Sequence, residues 1–346
     1  MTDISQQLIL SAVGLALVIS LFVSKKDFWL AASSVFLVVS QTFIFIHWDV
    51  AKYWTFINSI LLVSIIIAFQ RRRFGTMVRS EVIEMFNSDL IREPAITFES
   101  LRDLPPIVRK WLVRSNVIGK PPIQTLCIKQ KGVMRLKPDG NWLPFRAEQF
   151  INADNQGFIW NATISSGFFI PIHARDKYLH RHGNMLIHAL YAIPIADSSG
   201  PEIDQGTLMR FLAEIIWFPT AALSRYIRWE YLTETKARAT IENGVTSVSG
   251  IFSFDLDGDI AGFEGLRYRD VNQRYALQKW TISVKSHRVF GGFRIADKSE
   301  VTWHQGDKPF TWLQIELSKM KFSFGKPGSQ PEEEEGAEIV QQLELK

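Results

Sequence analysis

Residues 200–223, GPEIDQGTLMRFLAEIIWFPTAAL, have the pattern of one helix set among strands, and we read the chain outward from them. Gly200 and Pro201 break the preceding segment, and Asp204 is a candidate cap. Apolar residues then recur at helical spacing: Leu208, Phe211, Leu212, Ile215 and Ile216. Pro219 marks the end, because proline stops a helix. The pattern predicts a helix over 204–216 with one buried face.

Apolar residues are concentrated at the N-terminus. They make up 47% of the 346 residues, yet the mean hydropathy of the whole chain is only +0.02. Three runs, Ile4–Val23, Phe28–Ile46 and Tyr53–Phe69, each approach the ~20 residues that cross a bilayer as a helix. We therefore predict three transmembrane helices. None of the runs contains a charged residue, which disfavours a transporter or a proton relay.

The charges that flank these runs predict an orientation. Lys25 and Lys26 follow the first run, and Arg71–Arg73 follow the third. Lys and Arg are enriched in cytoplasmic loops, so the N-terminus is expected outside and the large domain in the cytoplasm. The prediction is a multi-pass protein of the bacterial cytoplasmic (inner) membrane, with the lipid bilayer as its partner. The residues up to Arg79 account for the whole formal charge of +4, so we expect no nucleic-acid partner.

Strand-like sequence begins after two further helices, which we predict over 78–90 and 104–115. From Ile123 the apolar period shifts toward two, and Gly-containing joints such as Asn243-Gly244 favour hairpins. The candidate strands cover 123–136, 142–152, 157–165, 168–178, 184–195, 226–233, 236–242, 245–255, 259–269, 276–285, 287–295, 298–305 and 310–324. With no crossover helices recurring between them, a mainly antiparallel sheet is expected.

The predicted fold class is an α+β membrane protein, in which three transmembrane helices precede a curved antiparallel sheet, or half-barrel, with an internal helix. The predicted domains are a three-helix anchor over 1–73, a helical connector over 74–122, the half-barrel over 123–325 and an acidic disordered tail over 326–346. The tail is assigned from Pro331 followed by Glu332–Glu335.

Several motifs in order carry a resemblance to a known family. They are LPPIVRKWLVRSNVIGKPP, GVMRLKPDGNWLPFRAEQF, GFIWNA, RDKY, GPEIDQGTLMRFLAEIIWFPTAAL, FSFDLDG and LRYRD. Over roughly Leu104 to Ile315 the chain resembles an uncharacterised bacterial family of membrane-tethered proteins. Its β-region resembles, more distantly, the half-barrel of lipoprotein carriers. The first resemblance implies no activity, and the second implies a fold and an apolar ligand class. The chain departs from the family pattern at His287, where Tyr is usual, and at Ala296, where Pro is usual.

Histidines and cysteine give no sign of a metal site or a cofactor. His180 and His182 are two apart, which would suit a shared metal on a strand, but a polar hairpin turn is the preferred interpretation. The single cysteine, Cys127, excludes an intramolecular disulfide framework and a cysteine zinc cluster. No nucleophile elbow, phosphate loop or dinucleotide fingerprint occurs. We expect neither a metal nor a cofactor.

The strongest polar constellation lies in and near the helix of 204–216. Arg210 and Glu214 stand four apart and so meet on one side of the helix. In an enzyme, Glu202 or Glu214 would be a general base and an arginine would hold an anionic substrate. In a structural network, Arg210 would bridge Glu214 and an acid on a neighbouring strand. In a third role, the arginines would grip a lipid phosphate or carboxylate at the mouth of an apolar cavity.

These observations lead to one preferred function. We predict a β domain that binds a lipid, a fatty acid or another apolar ligand at the cytoplasmic face of the membrane. The alternatives are an enzyme for a membrane-derived substrate and a structural or interaction module without a ligand; protein partners are not predicted. The candidate ligand-binding residues are Arg175, Asp176, Glu202, Gln205, Arg210, Phe211, Glu214 and Trp217.

Overall fold

The computed structural model of the chain describes residues 13–14, 16–20, 27–87, 93–167, 170–271, 274–305 and 308–325. Contacts divide the chain into two compact units. The first comprises Met1–Met77 with Ala189–Pro194, and the second comprises Val78–His188 with Ile195–Lys346. The predicted acidic tail lies outside the described residues, and so does most of the predicted first membrane run, Ile4–Val23.

The first unit is built from apolar helices. They are α1 Asp27–Ile46, the short α2 Trp48–Ala51, a 3₁₀ turn Lys52–Trp54 and α3 Thr55–Phe86, whose last turns belong to the second unit. Within the described residues, two stretches are long and apolar enough to cross a membrane, Phe28–Ile46 and Trp48–Phe86. The prediction of three such helices is therefore supported for two of them.

Polar residues of α1 and α3 bond to one another. Nδ2 of Asn58 donates to Oγ of Ser40 at 3.2 Å and to Oε1 of Gln41 at 2.9 Å. Nε2 of Gln41 in turn donates to Oγ1 of Thr55 at 3.3 Å. Because unpaired polar groups are costly in an apolar environment, this network allows the two helices to carry these side chains within an apolar surface.

Helix α3 corrects one prediction. The sequence predicts a membrane run that ends at Phe69 and a separate helix over 78–90, but α3 continues through Arg71–Arg73 and ends at Phe86. Residues 70–86 contain no proline, and Arg, Met and Glu are good helix formers, so nothing interrupts the helix where the charges begin.

The second unit contains one sheet of thirteen strands in the order β6-β5-β4-β3-β2-β1-β13-β12-β11-β10-β9-β8-β7. Every pairing with a described register is antiparallel. This confirms the predicted α+β class with a large antiparallel sheet. The strands are β1 Thr125–Met134, β2 Leu143–Asn152, β3 Gly157–Ser165, β4 Pro171–Leu179, β5 His182–Ala189, β6 Ile193–Ser199, β7 Ile227–Thr233, β8 Lys236–Glu242, β9 Ser247–Phe254, β10 Ile260–Val271, β11 Arg274–Phe290, β12 Phe293–Gln305 and β13 Lys308–Ser323.

Two predicted strand boundaries differ from the structure. The strand predicted over 184–195 is split into β5 and β6, because Leu190 and Tyr191 adopt positive φ in a turn. The strands predicted over 276–285 and 287–295 are mainly one long strand, β11, which absorbs a register shift at Ser286 rather than ending there. A bulge bends a strand without terminating it.

Helices α4 Pro106–Arg114 and α5 Pro201–Glu214 pack in the second unit, and α5 continues into 3₁₀ segments Ile215–Trp217 and Pro219–Leu223. Helix α5 begins three residues earlier than predicted. Gly200 has a φ of 115° and Pro201 occupies the first turn, so the backbone enters the helix there. Asp204 is therefore not the cap; its Oδ1 accepts a hydrogen bond from the backbone N of Gly183 at 2.6 Å.

The sheet curls around α5. The helix contacts both β4 and β8, the third and the twelfth strands in sheet order. In a flat sheet these strands would be ~43 Å apart, at ~4.8 Å for each of nine spacings, whereas a helix of 14 residues is only ~21 Å long. In addition, Nδ2 of Asn243, just after β8, donates to the Tyr178 hydroxyl on β4. We call the face of the sheet that packs on α5 the inner face.

Candidate functional site

Arg210 of α5 lies at the centre of a buried polar cluster on the inner face. Its Nη1 is 2.6 Å from Oδ2 of Asp176 on β4, and its Nε is 2.7 Å from Oε1 of Glu214 one turn further along α5. The guanidinium group also lies over two rings of β3, 4.8 Å from the centroid of Phe158 and 5.1 Å from that of Trp160. Arg210 thus joins the helix to two strands.

Amide side chains complete this cluster. Nε2 of Gln149 donates to Oε2 of Glu214 at 2.5 Å, and Nε2 of Gln130 donates to Oε1 of Gln149 at 2.9 Å. Nε1 of Trp160 donates to Oε1 of Gln130 at 2.8 Å. Buried polar groups stabilise a fold only when they are paired, and both carboxylate oxygens of Glu214 have a donor.

Opposed effects set the charges of the cluster. Burial raises the pKa of Glu214, against the influence of Arg210 and the bond from Gln149. Burial alone would lower the pKa of Arg210, but the carboxylates of Glu214 and Asp176 outweigh it and raise that pKa. Arg210 therefore stays protonated and is bound to both carboxyl groups.

Arg175 does not join this cluster. It is the neighbour of Asp176 on β4, and successive side chains of a strand point to opposite faces. Its Nε is 3.2 Å from Oε2 of Glu81 near the end of α3, and Nζ of Lys177 is 2.8 Å from the other carboxylate oxygen. Nη1 of Arg175 donates to the carbonyl of Asn184 at 3.0 Å. The predicted constellation is thus divided between the two faces of the sheet.

The remaining predicted residues of α5 occupy three environments. Glu202 is half-buried in the first turn. Nε2 of Gln205 donates to the carbonyl of Leu266 on β10 at 2.9 Å and fixes the helix to that strand. Phe211 and Trp217 are buried in the core, and the Phe211 ring is 5.6 Å from that of Phe218. Whether any of these residues contacts a ligand remains a prediction.

Two further arginines, both on β10, lie on the inner face and were not among the predicted site residues. The guanidinium group of Arg267 is 5.2 Å from the ring centroid of Trp280 and 5.9 Å from that of Trp303. That of Arg269 is 5.4 Å from Trp303 and 5.5 Å from Phe310. Trp280, Trp303 and Phe310 are paired in register across β11, β12 and β13, and we call them the aromatic stripe.

The donors beside the aromatic stripe lack acceptors. Within the described part of the chain, Nε of Arg267, Nη1 of Arg269 and Nε1 of Trp280 are buried without a hydrogen-bond partner. Burial lowers the pKa of Arg267 to about 10, partly offset by the more distant carboxyl groups of Asp176 and Glu214. Burial also lowers the pKa of Arg269. Both guanidinium groups nevertheless remain protonated at neutral pH.

The sequence carries a signal for these arginines. They are the second and fourth residues of the motif LRYRD, 266–270, and so lie on one face of a strand. Tyr268, which separates them in sequence, points to the opposite face, so the two arginines are neighbours on their own face. Strand alternation alone could therefore have placed two cations side by side.

The histidines lie where the hairpin interpretation placed them. His180 and Arg181 adopt positive φ in the turn between β4 and β5. Nε2 of His180 is 2.7 Å from Oε1 of Glu84, and Nδ1 of His182 is 3.5 Å from Oδ2 of Asp204. Among the described residues, no group of three His, Cys, Asp or Glu side chains could hold a metal ion.

A cavity of about 820 Å³ lies over β1–β3 and β11–β13, and no residue of α5 lines it. Its lining combines charged residues, Lys131, Arg146, Lys285, Lys298 and Glu300, with the apolar residues Val133, Pro144, Phe145 and Ile315. By strand alternation these charged side chains point away from the inner face. Nζ of Lys285 is 2.9 Å from Oε2 of Glu300, so the groove carries its own ion pair.

Comparison with known proteins identifies one family. The sequence profile described as "Family of unknown function (DUF6544)" matches residues 94–315. This confirms the predicted resemblance to an uncharacterised family. No curated protein matches the chain by sequence.

Solved structures with a similar arrangement include three bacterial proteins. A lipoprotein-sorting protein domain of the outer membrane from Vibrio parahaemolyticus is 12% identical, with a TM-score of 0.36 over 63% of this chain and 91% of that one. A DUF1329 family protein from Desulfovibrio piger is 9% identical, with a TM-score of 0.36 over 63% and 93%. A LolA superfamily protein from Nitrosomonas europaea is 9% identical, with a TM-score of 0.34 over 68% and 96%.

Proposed function

The chain belongs to the DUF6544 family, whose function is unknown, and from its own geometry we propose that it is a membrane-anchored protein that binds a lipid-like ligand. The ligand lies on the inner face of the sheet, along the aromatic stripe. The observation that carries this proposal is that arginine side chains, rather than apolar ones, shield the aromatic stripe from water. Trp280, Trp303 and Phe310 are buried beneath the side chains of Arg267 and Arg269.

Arginine side chains over an aromatic surface can be displaced more easily than the side chains of a packed apolar core. Within the described residues no ion pair or hydrogen bond holds the side chain of Arg267 or Arg269, whereas Arg210 is held by two carboxyl groups. A long side chain without a partner can move aside and leave apolar rings exposed. Each methylene that such a surface removes from water contributes ~0.8 kcal/mol, so ten carbons of an acyl chain suffice for useful binding.

The membrane supplies the ligand in this proposal. Phe28–Ile46 and Trp48–Phe86 are long and apolar enough to span a bilayer, and many of their large apolar side chains are exposed. The Lys25, Lys26 and Arg71–Arg73 flanks favour a multi-pass protein of the bacterial cytoplasmic membrane with its N-terminus outside and its β domain in the cytoplasm. A lipid or fatty acid would reach the sheet from the inner leaflet.

A photoreactive acyl chain tests the proposal on the full chain, purified in neutral detergent. The probe is a fatty alcohol ester with a diazirine in its chain, and labelled peptides are located by mass spectrometry. We expect labels on β11, β12 and β13 at the aromatic stripe, in addition to the apolar helices. The Trp303→Ala and Phe310→Ala variants should lose most of the label on these strands.

Tyr231→Ala provides the control, because Tyr231 is an exposed aromatic residue of the same sheet, on β7. It should leave labelling of the stripe unchanged. If the probe labels α1 and α3 but never the inner face, the sheet does not bind an acyl chain and the structural-module alternative replaces this proposal.

A further inference from the structure

We propose that Arg267 and Arg269, together with Nε1 of Trp280, form a site for the phosphate monoester of an anionic lipid. This inference rests on the proposed lipid-binding function and specifies the headgroup that the inner face selects. The sequence predicted such a role for Arg175 and Arg210, but both are already bound to carboxyl groups. The unpartnered arginines of β10 take that role instead.

Two guanidinium groups and one indole N–H lie at the aromatic stripe without acceptors among the described residues. Arg267 and Arg269 are two residues apart on β10, and both guanidinium groups lie over the ring of Trp303. Arg267 also lies over Trp280, whose indole is only 3% exposed and whose Nε1 has no partner among the described residues. A buried donor without an acceptor is costly, and a ligand oxygen would remove that cost at all three positions.

The local charges favour an anion. Arg210 and Arg267 balance the carboxyl groups of Asp176 and Glu214, which are the carboxyl groups that act on Arg267. None of the ion pairs within the described part of the chain involves Arg269. A positive charge is therefore left over at the aromatic stripe.

A third arginine, just after the last residue of the central strand β1, extends the positive surface to the end of the strands. The guanidinium group of Arg135 is 5.3 Å from the ring of Phe310, which it shares with Arg269, and 4.7 Å from that of Trp142. Hydrogen bonds to the carbonyls of Thr311 and Pro138 hold it there, at 2.8 and 2.7 Å. Arg135 thus adds a third guanidinium group, beside the same ring of Phe310.

A phosphate monoester carries about −1.5 to −2 at neutral pH and three strong acceptor oxygens. It therefore brings about two units of negative charge and several acceptor oxygens to guanidinium and indole donors that have no partner among the described residues. A carboxylate offers one charge and two oxygens, and a phosphodiester offers one charge, so each would leave part of the site uncompensated. Arginine is the side chain best suited to bind phosphate in a forked geometry.

The surface at the end of the strands, beside Arg135, combines charged and apolar residues and so suits an amphiphilic ligand. Trp142 and Leu136 are large apolar residues there, and 36% and 68% of their surfaces are exposed. The last residues of β1, β10 and β12 and the first residues of β2, β11 and β13 lie at this same end of the strands. A phosphate held by the arginines would leave its chain in contact with the aromatic stripe and these exposed residues.

The experiment compares two photoreactive lipids on the full chain in neutral detergent: a diazirine-labelled phosphatidic acid and the matching diacylglycerol, which lacks the phosphate. We expect the phosphatidic acid to label the aromatic stripe about ten-fold more strongly, as charge-assisted bonds to phosphate imply. Arg269→Gln should abolish most of that preference, whereas Arg269→Lys, which keeps the charge, should retain part of it. Arg228→Gln, on β7 and exposed, should change nothing.

Competition with inorganic phosphate distinguishes a lipid headgroup from a soluble phosphate as the ligand of this site. Phosphate at millimolar concentration should reduce labelling by phosphatidic acid but not by diacylglycerol. If phosphate raises the melting temperature through Arg269 while neither lipid labels the sheet, the anion site exists but its ligand is soluble, and the lipid function is overturned.

Other outcomes of the experiment distinguish failure of the phosphate site from failure of the lipid-binding function. Equal labelling by the two lipids, or a preference that survives Arg269→Gln, overturns the phosphate site and leaves the lipid function intact. No labelling by either lipid and no effect of phosphate overturns both. If Arg269→Gln fails to fold, the Lys variant and the phosphate competition in the unchanged protein decide the matter.

Discussion

Nη1 of Arg210 lies 2.6 Å from Oδ2 of Asp176, and this contact joins α5 to β4. The two residues are 34 positions apart in sequence. The same guanidinium group binds Glu214 on α5 itself, 2.7 Å away. All three side chains are largely shielded from water, with exposed fractions of 14%, 10% and 7%. At this depth the pair fixes the helix inside the curled sheet.

Arg210→Ala should therefore destabilise the protein strongly. Removal of one member of a buried pair costs ~3–5 kcal/mol, because the two carboxyl groups lose their cation. For a domain of this size that corresponds to a fall of roughly 6–20 °C in the melting temperature. Tryptophan fluorescence of the full chain on heating measures it.

Arg228→Ala is the matched control. Arg228 pairs with Glu242 at 3.1 Å, but the two side chains are 74% and 59% exposed, and an exposed pair is worth ~1 kcal/mol or less. Equal melting temperatures for the Arg210 and Arg228 variants would show that the Arg210 cluster does not stabilise the fold.

Gly183→Ala should also destabilise the protein, for a steric reason. A Cβ on Gly183 would lie 2.7 Å from the carbonyl oxygen of Ile203 and closer still to Oγ1 of Thr207, so α5 would have to move away from β5. Overpacking of this kind costs ~1–3 kcal/mol. Gly75→Ala is the control, because nothing lies within 4 Å of its Cβ position. A melting temperature for Gly183→Ala equal to that of the unchanged protein would contradict this helix position.

Asp259 should contribute to the acid sensitivity of the fold. Burial alone would raise the pKa of Asp259, but hydrogen bonds from Arg294, at 2.7 and 2.9 Å, outweigh it and the pKa is lowered. A carboxyl group whose pKa is lower in the folded state stabilises the fold above its ordinary pKa of about 3.9. That stabilisation is lost as the pH falls from this value through the folded-state pKa.

The melting temperatures of the unchanged protein and of Asp259→Asn, measured between pH 6 and pH 3, test this sign. The gap between them should be largest near pH 6 and should narrow below about pH 4, since only the unchanged protein loses the contribution. The exposed Asp257→Asn variant, from the same turn, is the control. A gap that widens on acidification would reverse the assigned direction of the shift.

The predicted orientation places the C-terminus in the cytoplasm. It rests on Lys25, Lys26 and Arg71–Arg73, which fall on the same side of a three-helix anchor. A reporter fused after Lys346 should therefore be active as a cytoplasmic fluorescent protein and inactive as a periplasmic phosphatase. The opposite pair of activities would mean that the number of spans or their direction is wrong.

Much of the sheet could be predicted, because strand signals are local. The period of two and turn pairs such as Asn243-Gly244 placed strands close to their observed positions, and the helical period of 204–216 identified α5. The ends were less certain, since Gly200 rather than Asp204 starts the helix. The prediction of a separate helix over 78–90 was wrong, because the charges of Arg71–Arg73 end the apolar run but do not end the helix.

The arrangement of the site depends on contacts that no local pattern contains. The sheet curls so that Asn243, just after β8, meets Tyr178 on β4. Only this long-range contact shows which residues surround α5. Glu81 pairs with Arg175 because the end of α3 meets β4, which the sequence does not reveal. The separation of Arg175 from Asp176, in contrast, follows from strand alternation and could have been anticipated.

The most discriminating prediction compares one substitution at two arginines. Arg269→Met should raise the melting temperature of the ligand-free protein, whereas Arg210→Met should lower it. Burial lowers the pKa of Arg269, and no described carboxyl group compensates it, so an apolar side chain of similar length should be better tolerated there. The methionine sulfur can also contact the rings of Trp303 and Phe310, in place of the cation.

Arg269 is half-buried, so solvent screens its charge and the expected gain is small, at most ~1 kcal/mol. At Arg210 the same change leaves Asp176 and Glu214 without their cation and should cost ~3–5 kcal/mol. Heating of both full-length variants without added lipid or phosphate measures the two shifts. A residue kept despite a stability cost is typical of a binding site. If Arg269→Met instead lowers the melting temperature as much as Arg210→Met, then Arg269 is part of the structural framework and not a residue reserved for a ligand.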